Sequence, residues 1–310
     1  MDKVYSGTYL ITGATGFLGR NLVKELLVYG KNIQVVAQVR NLHKARAIFG
    51  NDNKNLIIHV GDIKSVNERV SKIDYIIHSA TVMDSNSYKN VPYTSMQTNL
   101  LMMNQVIELA LQVNAMKVVF ISSAVVYGDR LNQMVTEGMC GGTHSMDVRN
   151  AYEESKRFCE YLCASAIEQF GLDISTVRLF TVYGRDVNLN ANSIFTNLLK
   201  NALECKNLVI KGDGKPIRNW CYITDAVRGI MVICQYGKSG EAYNVGSDTE
   251  NYSIKEFAEV LSQLTGEKII IEGETTWQSI QIPDLSKINA LGYHSEIKLR
   301  DGLKRCLGLK

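Results

Sequence analysis

Tyr152 and Lys156 stand four residues apart in the run Tyr152-Glu153-Glu154-Ser155-Lys156, and the apolar residues that follow (Phe158, Leu162, Ala166, Phe170) recur at helical spacing. On a helix, positions i and i+4 share a face. A free phenol titrates at about 10, so a tyrosine that exchanges protons near neutral pH needs a positive charge beside it to favour the phenolate. Lys156 is spaced to supply that charge. Ser123 closes the run Phe120-Ile121-Ser122, where its hydroxyl would hydrogen-bond a reacting oxygen and orient it for hydride transfer. A Tyr-x-x-x-Lys pair alone is common, and its meaning depends on the elements that carry it.

Those elements alternate. Short β-rich runs at Thr8 to Thr12, Ile33 to Val39, Leu56 to Val60, Tyr75 to Ser79, Lys117 to Ser122 and Asp173 to Leu179 are separated by segments with helical periodicity, such as Leu22, Val23, Leu26 and Leu27. Runs that are apolar throughout, such as Val118 to Ile121, suit strands buried on both faces. This order predicts βαβ units and an α/β fold of the Rossmann type, a doubly wound parallel sheet. The dinucleotide-binding domain is expected over residues 1–180, rejoined by about 220–248. Residues 181–310, with helices near Ile194 to Leu203 and Ile254 to Leu264, form mainly a smaller C-terminal α/β substrate domain.

The first strand runs into Thr12-Gly13-Ala14-Thr15-Gly16-Phe17-Leu18-Gly19 and then into a helix. Glycines here permit a tight turn and close approach of a pyrophosphate, while a helix N-terminus offers unpaired N–H groups to the anion. The second strand ends in Arg40, with His43, Lys44 and Arg46 close behind, where an acidic residue would bind the ribose of NAD and an arginine would accommodate the 2′-phosphate of NADP. That leans toward NADP, with NAD possible. Asp62, just past the third strand, either accepts the adenine amino group or caps a helix.

Composition excludes other classes. A net charge of +3, without runs of like charge, asks for neither nucleic acid nor an anionic membrane. No apolar stretch reaches the length of a membrane span and no signal-peptide core follows Met1, so a cytoplasmic protein is expected. The seven cysteines are odd in number and widely spaced, which reads as reduced thiols. Cys159 and Cys163 share a helical face, but no metal-ligand set is completed.

With these residues in place, the chain resembles the extended short-chain dehydrogenase/reductase family, in its nucleotide-sugar epimerase, dehydratase and reductase branch. The resemblance spans nearly the whole length. It is carried by Gly13 to Gly19, His78-Ser79-Ala80, Asn99, Ser122-Ser123-Ala124-Val125-Val126-Tyr127-Gly128, Tyr152 and Lys156, and Arg178-Leu179-Phe180-Thr181-Val182-Tyr183-Gly184. It continues through Gly212 to Trp220, Asp225, Tyr243-Asn244-Val245-Gly246 and Asp284-Leu285-Ser286-Lys287. The resemblance implies a catalytic triad of Ser123, Tyr152 and Lys156. It implies a dinucleotide held by Gly13, Thr15, Gly16, Phe17, Leu18, Arg40, Asp62, Ile63, Ser79, Ala80, Thr81, Tyr152 and Lys156, and a substrate met by Ser123, Thr181, Asn192 and Arg218, the last on its diphosphate. It also implies a homodimer whose four-helix bundle is built from the helices containing Asn99 to Leu111 and Tyr152 to Phe170.

The chain departs from the family at telling places. The 4,6-dehydratases carry an Asp-Glu pair after the catalytic hydroxyl, and the decarboxylases keep a Glu at the second of those positions; here they are Ala124 and Val125. Thr181 replaces an Asn common near the substrate phosphates, and residues 229–299 contain no Arg. Trp220, Tyr222 and Trp277 are available either to stack on a base or to pack. The resulting expectation is an NADP(H)-dependent oxidoreductase moving hydride at one carbon of a nucleotide-linked sugar. An epimerase that retains its NAD(P) is the alternative. A non-catalytic dinucleotide sensor, which would be expected to lose Tyr152 or Lys156, is the remaining one.

Overall fold

Alternating burial explains how each early strand serves two cores. On the first strand Tyr9 and Ile11 pack into one hydrophobic cluster and Leu10, between them, into the other, as the period of a strand requires. The computed structural model describes residues 6–29, 32–82, 85–128, 132–139, 141, 142, 144, 146–274 and 280–309; Cys140 and Trp277 lie outside them. The first half of the chain forms β1 (Gly7–Thr12), α1 (Phe17–Tyr29), β2 (Ile33–Val39), α2 (Leu42–Phe49), β3 (Leu56–Val60), β4 (Tyr75–His78), α3 (Ser85–Asn90), α4 (Pro92–Gln112), β5 (Lys117–Ser123), β6 (Asn132–Val135), α5 (Ala151–Phe170) and β7 (Ile174–Leu179). The second half adds β8 (Thr181–Tyr183), α6 (Ile194–Leu203), β9 (Leu208–Lys211), β10 (Ile217–Tyr222), α7 (Ile223–Tyr236), β11 (Ala242–Val245) and β12 (Asn251–Ser253). It closes with α8 (Ile254–Thr265), β13 (Ile269–Glu272), β14 (Ile280–Pro283), α9 (Ser286–Asn289) and α10 (Leu299–Leu307).

Seven parallel strands form the central sheet in the order β11-β7-β5-β4-β1-β2-β3. The order reverses between β1 and β4, so the carboxyl ends of these two strands flank the crevice where a doubly wound sheet takes its ligand. One face is covered by α4 and α5, whose Met103, Val106, Cys159, Cys163 and Ala166 pack on Val118, Phe120 and Ile174. The other face carries α1 and α7. A second sheet, β12-β10-β14-β6 with β8 on β10, draws strands from distant parts of the chain.

Two aromatic assignments resolve here. Trp220 is fully buried, stacks on Phe257 at 4.1 Å and donates its indole N–H to the Tyr252 carbonyl, so it packs and does not stack on a base. Tyr222 is buried as well, edge-on to Tyr183. Helix α5, which carries Tyr152 and Lys156, stops at Gly171, whose left-handed φ of 70° lets its N–H close on Ile167. Among the described residues the six cysteines are free, no helix is long and apolar enough to cross a membrane, and no cluster of His, Cys, Asp and Glu is suited to a metal.

Candidate active site

The glycine turn is built by close contact. Gly13 has a φ of +65°, and a Cβ there would lie 2.8 Å from the Ala80 Cα and 2.9 Å from its nitrogen, so the β1–α1 turn presses directly on the segment after β4. Thr12 stitches the two strands together: its Oγ1 accepts the Ala80 N–H at 3.1 Å and its carbonyl accepts the Ser79 hydroxyl at 2.6 Å. The same Oγ1 lies 2.8 Å from His78 Nδ1. Burial, reinforced by the charge of Lys156, drives the His78 pKa down to about 3, so the imidazole is neutral. Thr15, Gly16, Phe17 and Leu18 lie at the start of α1, where a helix leaves its first N–H groups without intrahelical acceptors. A bare turn, an open helix N-terminus and a switch point fit a dinucleotide pyrophosphate. Gly13→Val is therefore expected to weaken dinucleotide binding by about tenfold to a hundredfold in a fluorescence titration, since the φ and the Ala80 contact both exclude a branched side chain.

Arg40 is exposed at the end of β2. Asp62 is a cap: its Oδ1 accepts the Lys64 N–H at 3.0 Å at the head of the 3-10 turn Ile63–Glu68, and Oδ2 accepts from Gln105 at 3.2 Å. Ile63 beside it is buried. Thr81 donates its hydroxyl to Asn99 Oδ1 at 3.3 Å.

Ser123 ends β5, and its hydroxyl lies near enough to the phenol of Tyr152 to favour the phenolate. The same Oγ accepts the Val125 N–H at 3.4 Å, capping the turn Ala124–Tyr127. One turn along α5, Lys156 is 4% exposed, donates Nζ to the Ile121 carbonyl at 2.8 Å, and lies 5.1 Å from the Phe120 ring centroid. Burial lowers its pKa to about 8, offset in part by Cys159, Glu160 and Cys163. Burial likewise raises the Tyr152 phenol above its ordinary range, with Tyr88 adding to the rise and the Ser123 hydrogen bond opposing it.

Sequence reasoning missed Tyr88 as the side chain that packs on Tyr152, and had Asn99 only as a residue of the family resemblance. Tyr88, from α3, packs edge-on to the Tyr152 ring at 5.4 Å. Asn99 of α4 donates to the Tyr88 hydroxyl at 2.7 Å and to Ser155 Oγ at 3.2 Å, and its Oδ1 accepts the Val82 N–H at 2.7 Å. Ser155 was legible as the residue beside Lys156, but Tyr88 sits in a polar segment without periodicity.

The substrate positions lie on separate elements. Thr181 opens β8 opposite Trp220 of β10. Arg218, half-buried on β10, donates Nη1 to the Ile217 carbonyl at 2.9 Å. Asn192 is exposed ahead of α6, accepting from Asn197 at 3.3 Å.

A doubly wound sheet with a glycine turn at its switch point, flanked by a helix bearing Tyr152 and Lys156, defines an enzyme of the extended short-chain dehydrogenase/reductase type. The family described as NAD dependent epimerase/dehydratase matches residues 9–246, and this chain belongs to it. UDP-glucuronic acid decarboxylase 6 of Arabidopsis thaliana is 30% identical over 302 residues, covering 95% of this chain and 86% of the relative. UDP-glucuronic acid decarboxylase 1 of Xenopus tropicalis is 28% identical over 305 residues, covering 96% and 70%. Among solved structures, a mutant UDP-glucuronic acid 4-epimerase from Bacillus cereus, in complex with UDP-4-deoxy-4-fluoro-glucuronic acid and NAD, superposes with a TM-score of 0.86 at 25% identity, covering 97% of this chain and 98% of that one.

Proposed function

We propose that this chain epimerises one secondary carbinol of a nucleotide-linked sugar, with a UDP-hexuronic acid such as UDP-glucuronic acid as substrate. The observation that carries the reading is the meeting of Ser123, at the end of β5, with Tyr152, at the start of α5, beside a turn that continues with Ala124 and Val125. One acid–base group serves one carbon, and that turn holds no carboxyl for eliminating water or assisting loss of CO₂. The family name and the NAD in the Bacillus cereus structure support NAD as cofactor.

Tyr152 takes the carbinol proton and returns it, Ser123 hydrogen-bonds the same oxygen, and Lys156, one helical turn along α5, is the cation spaced to favour the phenolate. Bound NAD would supply reversible hydride exchange at the carbinol carbon, so that the oxidised sugar, once turned over in the site, is reduced on its other face and no cofactor is consumed. Arg218 has the fork geometry for a diphosphate. The test is NMR of UDP-glucuronic acid incubated with the protein and NAD. Appearance of the 4-epimer without CO₂ or net NADH supports the reading, whereas a UDP-pentose with CO₂ overturns it in favour of decarboxylation.

Arg40 favours a second reading, an NADP(H)-dependent reductase or dehydrogenase on the same substrate class, because an exposed guanidinium at the end of β2 suits a 2′-phosphate. That reading requires NADPH to bind at least about tenfold tighter than NADH, some 1.4 kcal/mol, and Arg40→Ala to abolish the preference without weakening NADH. A cytoplasmic setting suits the free thiols.

The same reading includes a homodimer. Tyr93 and Leu101 on α4, with Phe158 and Tyr161 on α5, are more than half exposed on two helices that pack side by side. A second copy of α4 and α5 would cover them as a four-helix bundle. Leu101→Glu combined with Phe158→Glu is expected to convert a dimer to a monomer in sedimentation; a wild-type chain that already sediments as a monomer would refute the interface.

A further inference from the structure

Beneath the triad runs a chain of hydrogen bonds that the proposed proton and hydride transfers do not use. Glu160, one turn after Lys156 on α5, accepts the Ser122 hydroxyl at 2.6 Å on Oε1. Its two oxygens also meet Arg178 of β7, at 3.1 Å from Nε and 2.7 Å from Nη2. Both side chains are largely buried, 15% and 14% exposed. Arg178 donates Nη1 to the Tyr127 hydroxyl at 3.0 Å and to the Glu137 carbonyl at 2.9 Å, and its guanidinium lies 4.9 Å from the Tyr127 ring centroid. Tyr127 donates its hydroxyl to Asn244 Oδ1 at 2.6 Å. The Asn244 amide then reaches the Val135 carbonyl of β6 at 3.1 Å and the Asp284 carbonyl after β14 at 3.2 Å, while its backbone N–H donates to Glu137 Oε1 at 2.8 Å.

One end of this chain is the residue next to Ser123. The other is the pair of strands β6 and β14, whose neighbour β10 carries Arg218. We propose that Glu160 is a positioning residue: through Ser122 and Arg178 it holds the strand end bearing Ser123 in register with the helix bearing Tyr152 and Lys156, and Arg178, Tyr127 and Asn244 extend that restraint to the second sheet. The proposal rests on the reading of Ser123, Tyr152 and Lys156 as the reacting groups. A bidentate arginine–carboxylate pair is directional, and an apolar pair of the same volume would fill the space without fixing a distance. The linked strands and helix come from segments far apart in sequence, so no local element sets their spacing.

Glu160 also bears on Lys156 electrostatically. Lys156 faces Cys159, Glu160 and Cys163 on its own helix, neutral His78 from β4, and the Phe120 ring and Ile121 carbonyl from β5. Of these groups Glu160 alone carries a carboxylate, which pairs with Arg178. Glu160→Gln removes the anion and leaves the cation, so Lys156 must lose its proton at lower pH.

The experiment pairs two readouts. In ¹³Cε-lysine NMR, with the Lys156 resonance assigned by its loss in Lys156→Met, Glu160→Gln is expected to move the Lys156 midpoint down by about half a pH unit or more. With UDP-glucuronic acid and NAD, kcat is expected to fall about tenfold or more in Glu160→Gln and severalfold in Ser122→Ala, while NAD affinity stays within about twofold of wild type. Glu160→Asp should recover part of both effects. If Glu160→Gln does not fold, the double variant Glu160→Gln/Arg178→Met takes its place in the NMR titration, where a smaller downward shift is expected. Folded variants with a wild-type Lys156 midpoint overturn the proposal, as do variants with unchanged kcat. A wild type that turns over no nucleotide sugar refutes the reading of function instead, and the NMR midpoint still decides the role of Glu160.

Discussion

Tyr152→Phe is expected to bind NAD as the wild type does and to turn over about 10³-fold more slowly, within the range of 10² to 10⁴ that a positioned acid–base group contributes. The substitution is nearly silent in packing. A phenylalanine ring keeps the edge-on contact with Tyr88 at 5.4 Å and leaves the Asn99, Tyr88 and Ser155 network intact, so stability and cofactor binding give no alternative reason for a lost rate. What disappears is the hydroxyl beside Ser123. Ser123 can still orient a substrate oxygen, but an aliphatic hydroxyl does not ionise in this range and no second acid–base group follows it in Ala124 or Val125. Single-turnover measurement of nicotinamide absorbance separates the steps. If Tyr152→Phe retains turnover within about tenfold of wild type, Tyr152 does not carry the proton.

The parts of this fold that were legible in the sequence are those specified locally. Six β-rich runs mark β1 to β5 and β7 to within a residue or so, because strands buried on both faces must be apolar throughout and are bounded by turns. The meeting of Ser123 with Tyr152 grows out of two equally local features, a strand that ends in a hydroxyl and a helix that begins with a phenol. Helix α7 was not legible. Its run Ile230-Met231-Val232-Ile233-Cys234 is apolar without interruption, since α7 is buried along most of its length, and a helix buried all round shows no period to distinguish it from a strand. Long-range pairing was hidden too. The fold carries β6 into the second sheet and β11 to the edge of the first, and it sends the aromatic faces of Trp220 and Tyr222 into the core, although neither residue type nor spacing separates a packed indole from a stacking one. Asp62 illustrates a genuine ambiguity, because a carboxylate that caps a turn and one that meets an adenine look alike in sequence.

Lys156→Met is expected to reduce turnover by about 10² or more and, against the usual direction for a buried substitution, to make the protein more stable at pH 7. The Lys156 pKa lies at about 8 in the folded chain, against an ordinary 10.5, because burial penalises the ammonium. Below pH 8 the group is charged in both folded and unfolded states and the folded state bears the full cost, which the difference in pKa puts at about 3 kcal/mol. Between pH 8 and 10.5 the folded state has already released its proton while the unfolded chain still holds one, so this cost declines as pH rises; above 10.5 it is gone. Methionine fills a similar volume without charge. It forfeits the 2.8 Å hydrogen bond to the Ile121 carbonyl, which leaves an expected gain of about 1–3 kcal/mol at pH 7 and little or none at pH 10.5. Urea unfolding at the two pH values measures both. A variant less stable than wild type at pH 7 would show that the ammonium is well accommodated by its surroundings. A stabilised, inactive variant would show that the fold keeps a costly buried cation for turnover, one helical turn from a phenol that burial shifts the wrong way for a base.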